Sequence, residues 1–371
     1  MRLAKKEGST EYARRIIKLK TVKSCPIIVG DGIINQLERY FDFSGYSSIV
    51  LITDTTVKKL YGRYITKALE ATGKRLSPLT LPVGERAKSL RQVERGYRLL
   101  LKNNIDRKGL ICALGGGVVG DVGGYIAATY LRGIDYLQLP TTLLAQVDSS
   151  IGGKVGVNFG GKKNMLGSFY QPRAIVCDVA LLKSLPPSEI RNGMAEVIKY
   201  ALAMDKELFR TLERKRKDEL TPAELADIVK RCGYLKAGIV EADETERSGQ
   251  RAILNFGHTV GHALEAATGL RRLSHGEAVA IGMTAAARIS ARVGMLDRGN
   301  IQSIENLLLK FGLPRYCQGV NPDELIAAIR FDKKTTLGQT GWVLLKGIGK
   351  GIVNQPVAEN TVKMVLKEIC R

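Results

Sequence analysis

The 371-residue chain contains three histidines, and all of them fall in LNFGHTVGHALEAATGLRRLSHGEAVAIGM, residues 254–283: His258, His262 and His275. Were 251–265 one helix, Arg251, Asn255, His258, His262 and Glu265 would follow at spacings of four, three, four and three and share a face. Gly257 makes a helix start near Asn255 the better expectation, with Arg251 on the approach. A stripe of Arg, Asn, His, His and Glu is not a core stripe. Neutral imidazole suits a divalent ion such as zinc, and a catalytic zinc keeps three protein ligands and an open position. Two of the histidines and one carboxylate would supply them, with Glu265, Glu277 and Glu196 as candidates; spacing alone does not choose. SHGE, 274–277, also fits a capping box, which gives Ser274 and Glu277 a structural role and sets His275 in the first turn of a helix.

Two further stretches point to phosphate. ALGGGVVGDVGG holds a G-x-G-x-x-G at Gly115, Gly117 and Gly120, after an apolar strand and at the opening of a helix, followed by Asp121. In that context glycines let backbone N–H groups approach a pyrophosphate, and the helix N-terminus favours its charge. The competing reading is a glycine-packed turn with no ligand. Asp54, at the end of an earlier strand, is a candidate contact to a ribose hydroxyl. In QVDSSIGGKVGVNFGGKKNMLGSF, 146–169, Asp148, Lys154, Asn158, Lys162, Lys163 and Asn164 stand among six glycines, as in a loop that cradles an anion. A metal that polarises an alcohol, a nicotinamide and a phosphate cradle together read as a zinc- and NAD-dependent enzyme acting on a phosphorylated polyol.

The elements that must position these groups change character along the chain. SSIVLITD (47–54), KGLICALGGG (108–117), IDYLQLPTT (134–142) and AIVCDVALL (174–182) read as buried strands alternating with helices, an α/β Rossmann-like arrangement with a parallel sheet. Pro186-Pro187 ends it. Beyond lie helical patterns, the first expected to be capped by Ser188, then an apolar strand or hairpin arm at 341–349. The expected division is an NAD-binding α/β domain over 1–184 and a mainly α-helical metal- and substrate-binding domain over 185–371.

Composition narrows the class. Charged residues at 25% and apolar residues at 44% are globular. Six scattered cysteines with no C-x-x-C argue against a disulfide framework or a zinc knuckle and fit a reducing cytoplasm, as does an N-terminus without an apolar signal core. The apolar run 110–131 is long enough to span a bilayer, but its glycines and Asp121 fit a strand–turn–helix better. The net charge of +21 invites a nucleic-acid partner, yet the basic residues are spread out and no stacking-aromatic motif accompanies them. Small anions are the better expectation, with neither nucleic acid nor membrane as partner.

PVGERAKSL, GGGVVGDVGG, TYLRG, LPTTLLAQVDSSIGGKVGVN, KKNMLGSFYQP, GMAEVIKY, LNFGHTVGH and LSHGEAVAIGM occur in the order found in 3-dehydroquinate synthases, and from about residue 25 to 350 the chain resembles that family. The resemblance implies zinc (or cobalt) ligated by Glu196, His258 and His275, with His262 facing substrate. It implies NAD contacts from Asp54, Glu85, Lys88, Gly116, Gly117, Val118, Asp121, Thr141, Thr142, Lys154 and Lys163. Substrate phosphate and carboxylate would fall to Lys154, Asn164, Lys199, Lys236, Arg251, Asn255 and His262, with Lys333 or Lys334, and Asp148 would anchor substrate near the metal. Arg132 would reach the neighbouring subunit's site in a homodimer.

The implied reaction is that of the shikimate pathway to aromatic amino acids. The C5 alcohol of 3-deoxy-D-arabino-heptulosonate 7-phosphate is oxidised by NAD, phosphate leaves by β-elimination, the hydride returns, and ring opening with an intramolecular aldol gives 3-dehydroquinate. Val155, Val260 and Thr56 depart from the family's usual threonine, phenylalanine and asparagine, and the segment between Lys236 and Arg251 is one residue longer than usual. Two relatives of the same superfamily compete. Cyclases of uncarboxylated sugar phosphates do not need Lys199, Lys236, Arg251 and Asn255 together, and the metal alcohol dehydrogenases lack the KKN and VDSSIGGK elements.

Overall fold

The computed structural model describes residues 16–19, 24–215, 219–269, 272–330, 335–336 and 339–370. A seven-stranded sheet organises the first half: Ile16–Leu19 (β1), Cys25–Gly30 (β2), Ser48–Asp54 (β3), Arg75–Leu81 (β4), Gly109–Gly115 (β5), Asp135–Pro140 (β6) and Ala174–Asp178 (β9). Its order is β1-β2-β9-β6-β5-β3-β4, parallel from β2 to β4, with β1 an antiparallel edge. The four expected strands are present, the last turning into a 3-10 helix at Val179–Ser184.

The 146–169 stretch differs from the loop expected. After a π-turn at Ala145–Ser149 it forms an antiparallel hairpin, Lys154–Phe159 (β7) and Lys162–Phe169 (β8). Gly156 and Gly167 face each other there, and a Cβ on Gly156 would stand 2.6 Å from the Leu166 carbonyl oxygen.

Alternation along β3 explains the layers. Ile49 and Leu51 point to one face, packed with the helix Thr55–Glu70 (α1). Val50 and Ile52 point to the other, under Leu90–Lys102 (α2) and Gly117–Thr129 (α3). The 110–131 run is β5, the glycine turn and α3. Among the described residues no helix is long and apolar enough to cross a membrane.

Beyond residue 184 the described chain is mainly helical: Pro187–Met204 (α4), Lys206–Arg214 (α5), Pro222–Ala242 (α6), His258–Ala267 (α7), His275–Arg292 (α8), Arg298–Lys310 (α9), Pro322–Arg330 (α10) and Glu359–Ile369 (α11). Two-residue strands Thr335–Thr336 and Gln339–Thr340 (β10, β11) precede the hairpin Trp342–Gly347 and Lys350–Gln355 (β12, β13), the expected apolar arm. Ser188 does not cap α4. Pro186 holds that position in extended backbone and Pro187 is the first helical residue, which needs no N–H. One apolar cluster crosses from the sheet into these helices, joining Ile27, Val147 and Ile175 to Val197, Ile228 and Val279.

Glycines set how closely the helices approach. A Cβ on Gly282 of α8 would lie 1.9 Å from the Gly257 carbonyl oxygen, and one on Gly276 would lie 2.7 Å from the Asn192 backbone of α4. Gly238, on the exposed face of α6, has nothing within 4 Å of such an atom. Gly282→Ala is therefore expected to lower stability by about 1–3 kcal/mol through forced helix separation. Gly238→Ala should raise it by up to about 1 kcal/mol through helix propensity. Urea unfolding midpoints at constant m-value check both.

Candidate active site and metal centre

The carboxyl ends of the parallel strands gather the residues expected at a dinucleotide. The strand order reverses between β3 and β5, where α/β sheets leave a crevice. Asp54 ends β3, where its Oδ1 caps α1 by accepting from the N–H groups of Thr56 and Val57. Gly116, Gly117, Val118 and Asp121 follow β5 and open α3; Thr141 and Thr142 follow β6, with Thr141 N–H donating to the Gly115 carbonyl at 3.0 Å.

The glycines of this turn divide their work. Gly120 lies against the Gln138 side chain and Gly124 against Val155 and Tyr136, so they serve helix–sheet packing. Gly117 instead faces Ser149, whose Oγ would be 2.7 Å from a Cβ there and is buried without a hydrogen-bond partner. An orphaned hydroxyl beside a cradle that any side chain would fill fits a cofactor's pyrophosphate. Ser149 was not among the expected site residues; its only sequence signal is its place in VDSSIGGK.

The β7–β8 hairpin closes over this turn. Lys88 Nζ reaches Asp121 at 2.6 Å and also contacts Asn164 Oδ1. Asn158 donates from N–H to the Lys88 carbonyl and from Nδ2 to Glu85 Oε1 at 2.8 Å, and accepts from the N–H of Asn164, a left-handed residue at φ 55°. Lys163 extends toward Glu265 of α7 at 3.9 Å, so hairpin and histidine helix meet.

The histidine motif is not one continuous helix. Gln250–Asn255 is a 3-10 segment, Gly257 takes the left-handed region at φ 79°, and α7 begins at His258, three residues later than the expected start. The bend separates Arg251 and Asn255 from the α7 stripe while keeping them on its approach. His275 opens α8 as SHGE requires, with the Ser274–Glu277 capping box complete.

Glu196, from the middle of α4, meets His258 and His275. Each Nε2 lies 3.5 Å from Glu196 Oε1, and one ligand atom from each of the three residues fits within 4.8 Å of the others. Zinc bonds of about 2.0–2.1 Å to nitrogen and oxygen put tetrahedral ligands roughly 3.4 Å apart. Oε1 is fully buried with no hydrogen-bond donor. His258 Nδ1 faces the Phe256 carbonyl at 3.2 Å, a contact that leaves Nε2 as the lone pair, and burial pushes its pKa well below the usual imidazole value. His275 differs: burial opposes its charge, but Glu196 and Glu265 outweigh that and raise it to about 10. Without an ion the carboxylates draw a proton to the spot, so these donors fit a divalent cation. Glu265 Oε1 stands behind His275 Nδ1 at 3.6 Å, and Glu277 is occupied by its cap. His262 packs edge-on to His258, 5.3 Å between ring centroids, outside that cluster.

A second charged group adjoins the first. Lys199, one turn beyond Glu196, contacts Glu196 Oε2 and lies 3.8 Å from Asp148 Oδ1. Lys236 donates to both the Asp148 carbonyl (2.7 Å) and its Oδ1 (2.9 Å). Beyond α6, Glu246 and Gly249 take positive φ. Tyr200, buried and not foreseen, donates its hydroxyl to Asp148 Oδ1 at 2.6 Å. Burial would raise the Asp148 pKa, but the two lysines and this phenol hold it far below the carboxylate range.

Arg251 donates to the Glu244 carbonyl, and Glu246 Oε1 lies 2.5 Å from Lys154 Nζ and 3.8 Å from Arg251 Nε. Arg132 stands apart, exposed, at the far end of α3, about 20 Å from Gly117 along the helix. Lys333 and Lys334 lie outside the described residues.

Residues 78–192 match the model for the 3-dehydroquinate synthase N-terminal region, and residues 193–335 the model for its C-terminal region. The chain belongs to the 3-dehydroquinate synthase family. A 3-dehydroquinate synthase of Desulforamulus reducens is 41% identical over 350 residues, 93% of this chain and 97% of its own. One from Dehalococcoides mccartyi is 45% identical over 323 residues, 86% and 89% of the two chains. Among solved structures, 2-deoxy-scyllo-inosose synthase with carbaglucose-6-phosphate, NAD+ and Co2+ superposes at TM-score 0.86 with 26% identity over 95% of this chain and 99% of its own. The 2-epi-5-epi-valiolone synthase of Streptomyces hygroscopicus, with NAD+ and Zn2+, gives TM-score 0.84 at 27% identity, over 96% and 99%.

Purified protein is expected to hold about one zinc per chain. His258→Ala and Glu196→Gln should bring this well below stoichiometric, while Glu277→Gln, which retains a capping residue, should not; elemental analysis after dialysis checks all three. Gly117→Val is expected to weaken NAD+ by roughly tenfold or more in titration calorimetry, since its side chain fills the cradle.

Proposed function

We propose that this protein converts 3-deoxy-D-arabino-heptulosonate 7-phosphate into 3-dehydroquinate and inorganic phosphate in the cytoplasm, with NAD+ at the carboxyl ends of β3–β6 and zinc or cobalt at Glu196, His258 and His275. The observation that carries this reading is the junction of two buried clusters on α4. Glu196 faces the two imidazoles, and Lys199, one turn on, reaches Asp148 beside Lys236. When bound, NAD+ would take and return a hydride while the metal ion polarises the oxygen of the alcohol being oxidised.

The chain's own residues bind and orient. Asp148, kept ionised by Lys236, Lys199 and Tyr200, is an acceptor for a substrate hydroxyl and cannot take up a proton near neutral pH. Lys154 and Arg251, which share Glu246 in the free protein, would turn to substrate anions, joined by Asn164, Asn255 and His262. Fixing both charged ends of one substrate holds its carbon chain in near-attack geometry for elimination and ring closure. Arg251 is almost fully buried, with Nε lacking a hydrogen-bond acceptor. Keeping so costly a cation beside Lys236 favours a substrate with a carboxylate as well as a phosphate.

A homodimer completes the reading. Arg132 is too far from its own glycine turn to serve it. Leu131 and Arg132 hold left-handed backbone at φ 50° and 67°, which costs on the order of 1–3 kcal/mol per residue. Exposed Leu131 on that turn, with Met165 and Phe169 on β8, adds apolar surface suited to a second copy.

The test is phosphate release by zinc-loaded protein with catalytic NAD+, given 3-deoxy-D-arabino-heptulosonate 7-phosphate in one tube and sedoheptulose 7-phosphate in another. Release from the carboxylated substrate alone, without net NADH, is expected. Release from the other sugar alone would move the protein to the uncarboxylated cyclases.

A further inference from the structure

Away from the active site, two of the six cysteines meet. Cys317 Sγ and Cys370 Sγ lie 3.3 Å apart, 53 positions apart in sequence. No other cysteine pair among the described residues makes such a contact; the other four thiols are buried singly in the core. The backbone holds the pair together independently of the sulfurs. Cys317 and Cys370 form a parallel β-bridge, and Cys317 N–H donates to the Ile369 carbonyl at 2.9 Å.

One guanidinium fixes both flanks. Arg288 of α8 donates to the Tyr316 hydroxyl at 2.9 Å and to Glu368 Oε2 at 3.2 Å, gripping the residue before one cysteine and the residue two before the other. A bridged main chain brings Cα atoms within the span a disulfide requires. Rotation of the side chains, not movement of the backbone, would join the sulfurs.

We propose that Cys317 and Cys370 form a reversible disulfide clip that fastens α11 to the body of the protein. The oxidant would be a small-molecule disulfide of the glutathione type. The pair would release one proton to solvent, and the Cys370 sulfur, the more exposed of the two, would attack one sulfur of that disulfide as its thiolate, expelling the first small thiol. The Cys317 thiolate would then attack Cys370 Sγ and expel the second. Two protein S–H bonds and one small-molecule S–S bond are lost; one protein S–S bond and two small thiols form.

The clip has a mechanical consequence. Val365, Leu366 and Ile369 of α11 pack in one cluster with Val260 and Leu264 of α7 and Ala278 and Ile281 of α8. Those are the helices that present His258, His262 and His275. Clipping α11 shut closes a long loop in the unfolded chain and secures the outer wall of the histidine helices.

The full-length protein should be equilibrated with oxidised or with reduced glutathione, denatured, alkylated and mapped by mass spectrometry. The oxidised sample is expected to carry one Cys317–Cys370 cross-linked peptide and four alkylated thiols. Its Tm should rise by about 5 °C over the reduced sample. Cys370→Ser should abolish both the cross-link and the redox dependence of Tm, and Cys112→Ser, on a sheet strand, should abolish neither. Six alkylated thiols after oxidation, or a cross-link to any other cysteine, would overturn the proposal. So would a Tm shift that persists in Cys370→Ser. None of these readouts depends on the substrate assignment.

Discussion

A carboxylate sits with no exposed surface in the middle of an apolar helix, and the architecture around it is the set of groups that make this tolerable. Glu196 is surrounded on α4 by Met194, Ala195, Val197 and Ile198, all buried. An isolated charge there would cost several kcal/mol. Lys199 supplies one compensating charge from the same helix, and His258 and His275 approach from two others. Lys199 in turn needs Asp148, and Asp148 needs Lys236 and Tyr200. Seven polar groups from α4, α6, α7, α8 and the 145–149 turn are thereby joined in one buried network, in which each charge is answered by another member.

Such a network needs backbones closer than ordinary side chains allow. Gly193 brings α4 onto Leu143 and Leu144, just ahead of the turn that carries Asp148. Gly276 seats the start of α8 against Asn192, where its N–H donates to Asn192 Oδ1 at 2.5 Å. Gly257, Gly261 and Gly282 let α7 cross α8. Each of these glycines lies within a few residues of a ligating or charged side chain, apart from Gly282, which acts through its contact with Gly257. The motifs GMAEVIKY, FGHTVGH and HGEAVAIG therefore encode side chains together with the backbone contacts that aim them.

This explains which features were legible in the sequence. The capping box at Ser274 is a local pattern, and it appears intact. The strands β3, β5, β6 and β9 are mainly apolar and buried on both faces, as parallel strands covered by helices are, with buried polar exceptions such as Thr53 and Gln138. The β7–β8 hairpin was hidden because its glycines, which read as loop, are there to let two strands lie tight. Pro187 took the first helical position that Ser188 was expected to precede, because a fixed φ is already helical. The choice among Glu196, Glu265 and Glu277 was not available from spacing. It depends on α4 crossing α7 and α8, a tertiary fact, and the order of family motifs carried that information where local periodicity did not. Tyr200 and Ser149 were missed for the same reason: each is marked only by what it faces.

The charge balance of the site would also link metal and substrate binding. In the free protein Lys199 is divided between Glu196 and Asp148, and Lys154 and Arg251 share Glu246. Among the described residues, Lys154, Lys199, Lys236 and Arg251 are thus already answered by carboxylates of the chain. With Glu196 engaged by a divalent cation, Lys199 would be left to Asp148 and to whatever lies beside it. The anion site would then gain net positive charge without any side chain having to enter from solvent. At Lys154 and Arg251 the substrate anions would have to compete with Glu246, which is exposed and in left-handed backbone at φ 58°. A bound metal and an anionic substrate would therefore favour each other through Lys199, because both draw on the same limited set of buried charges.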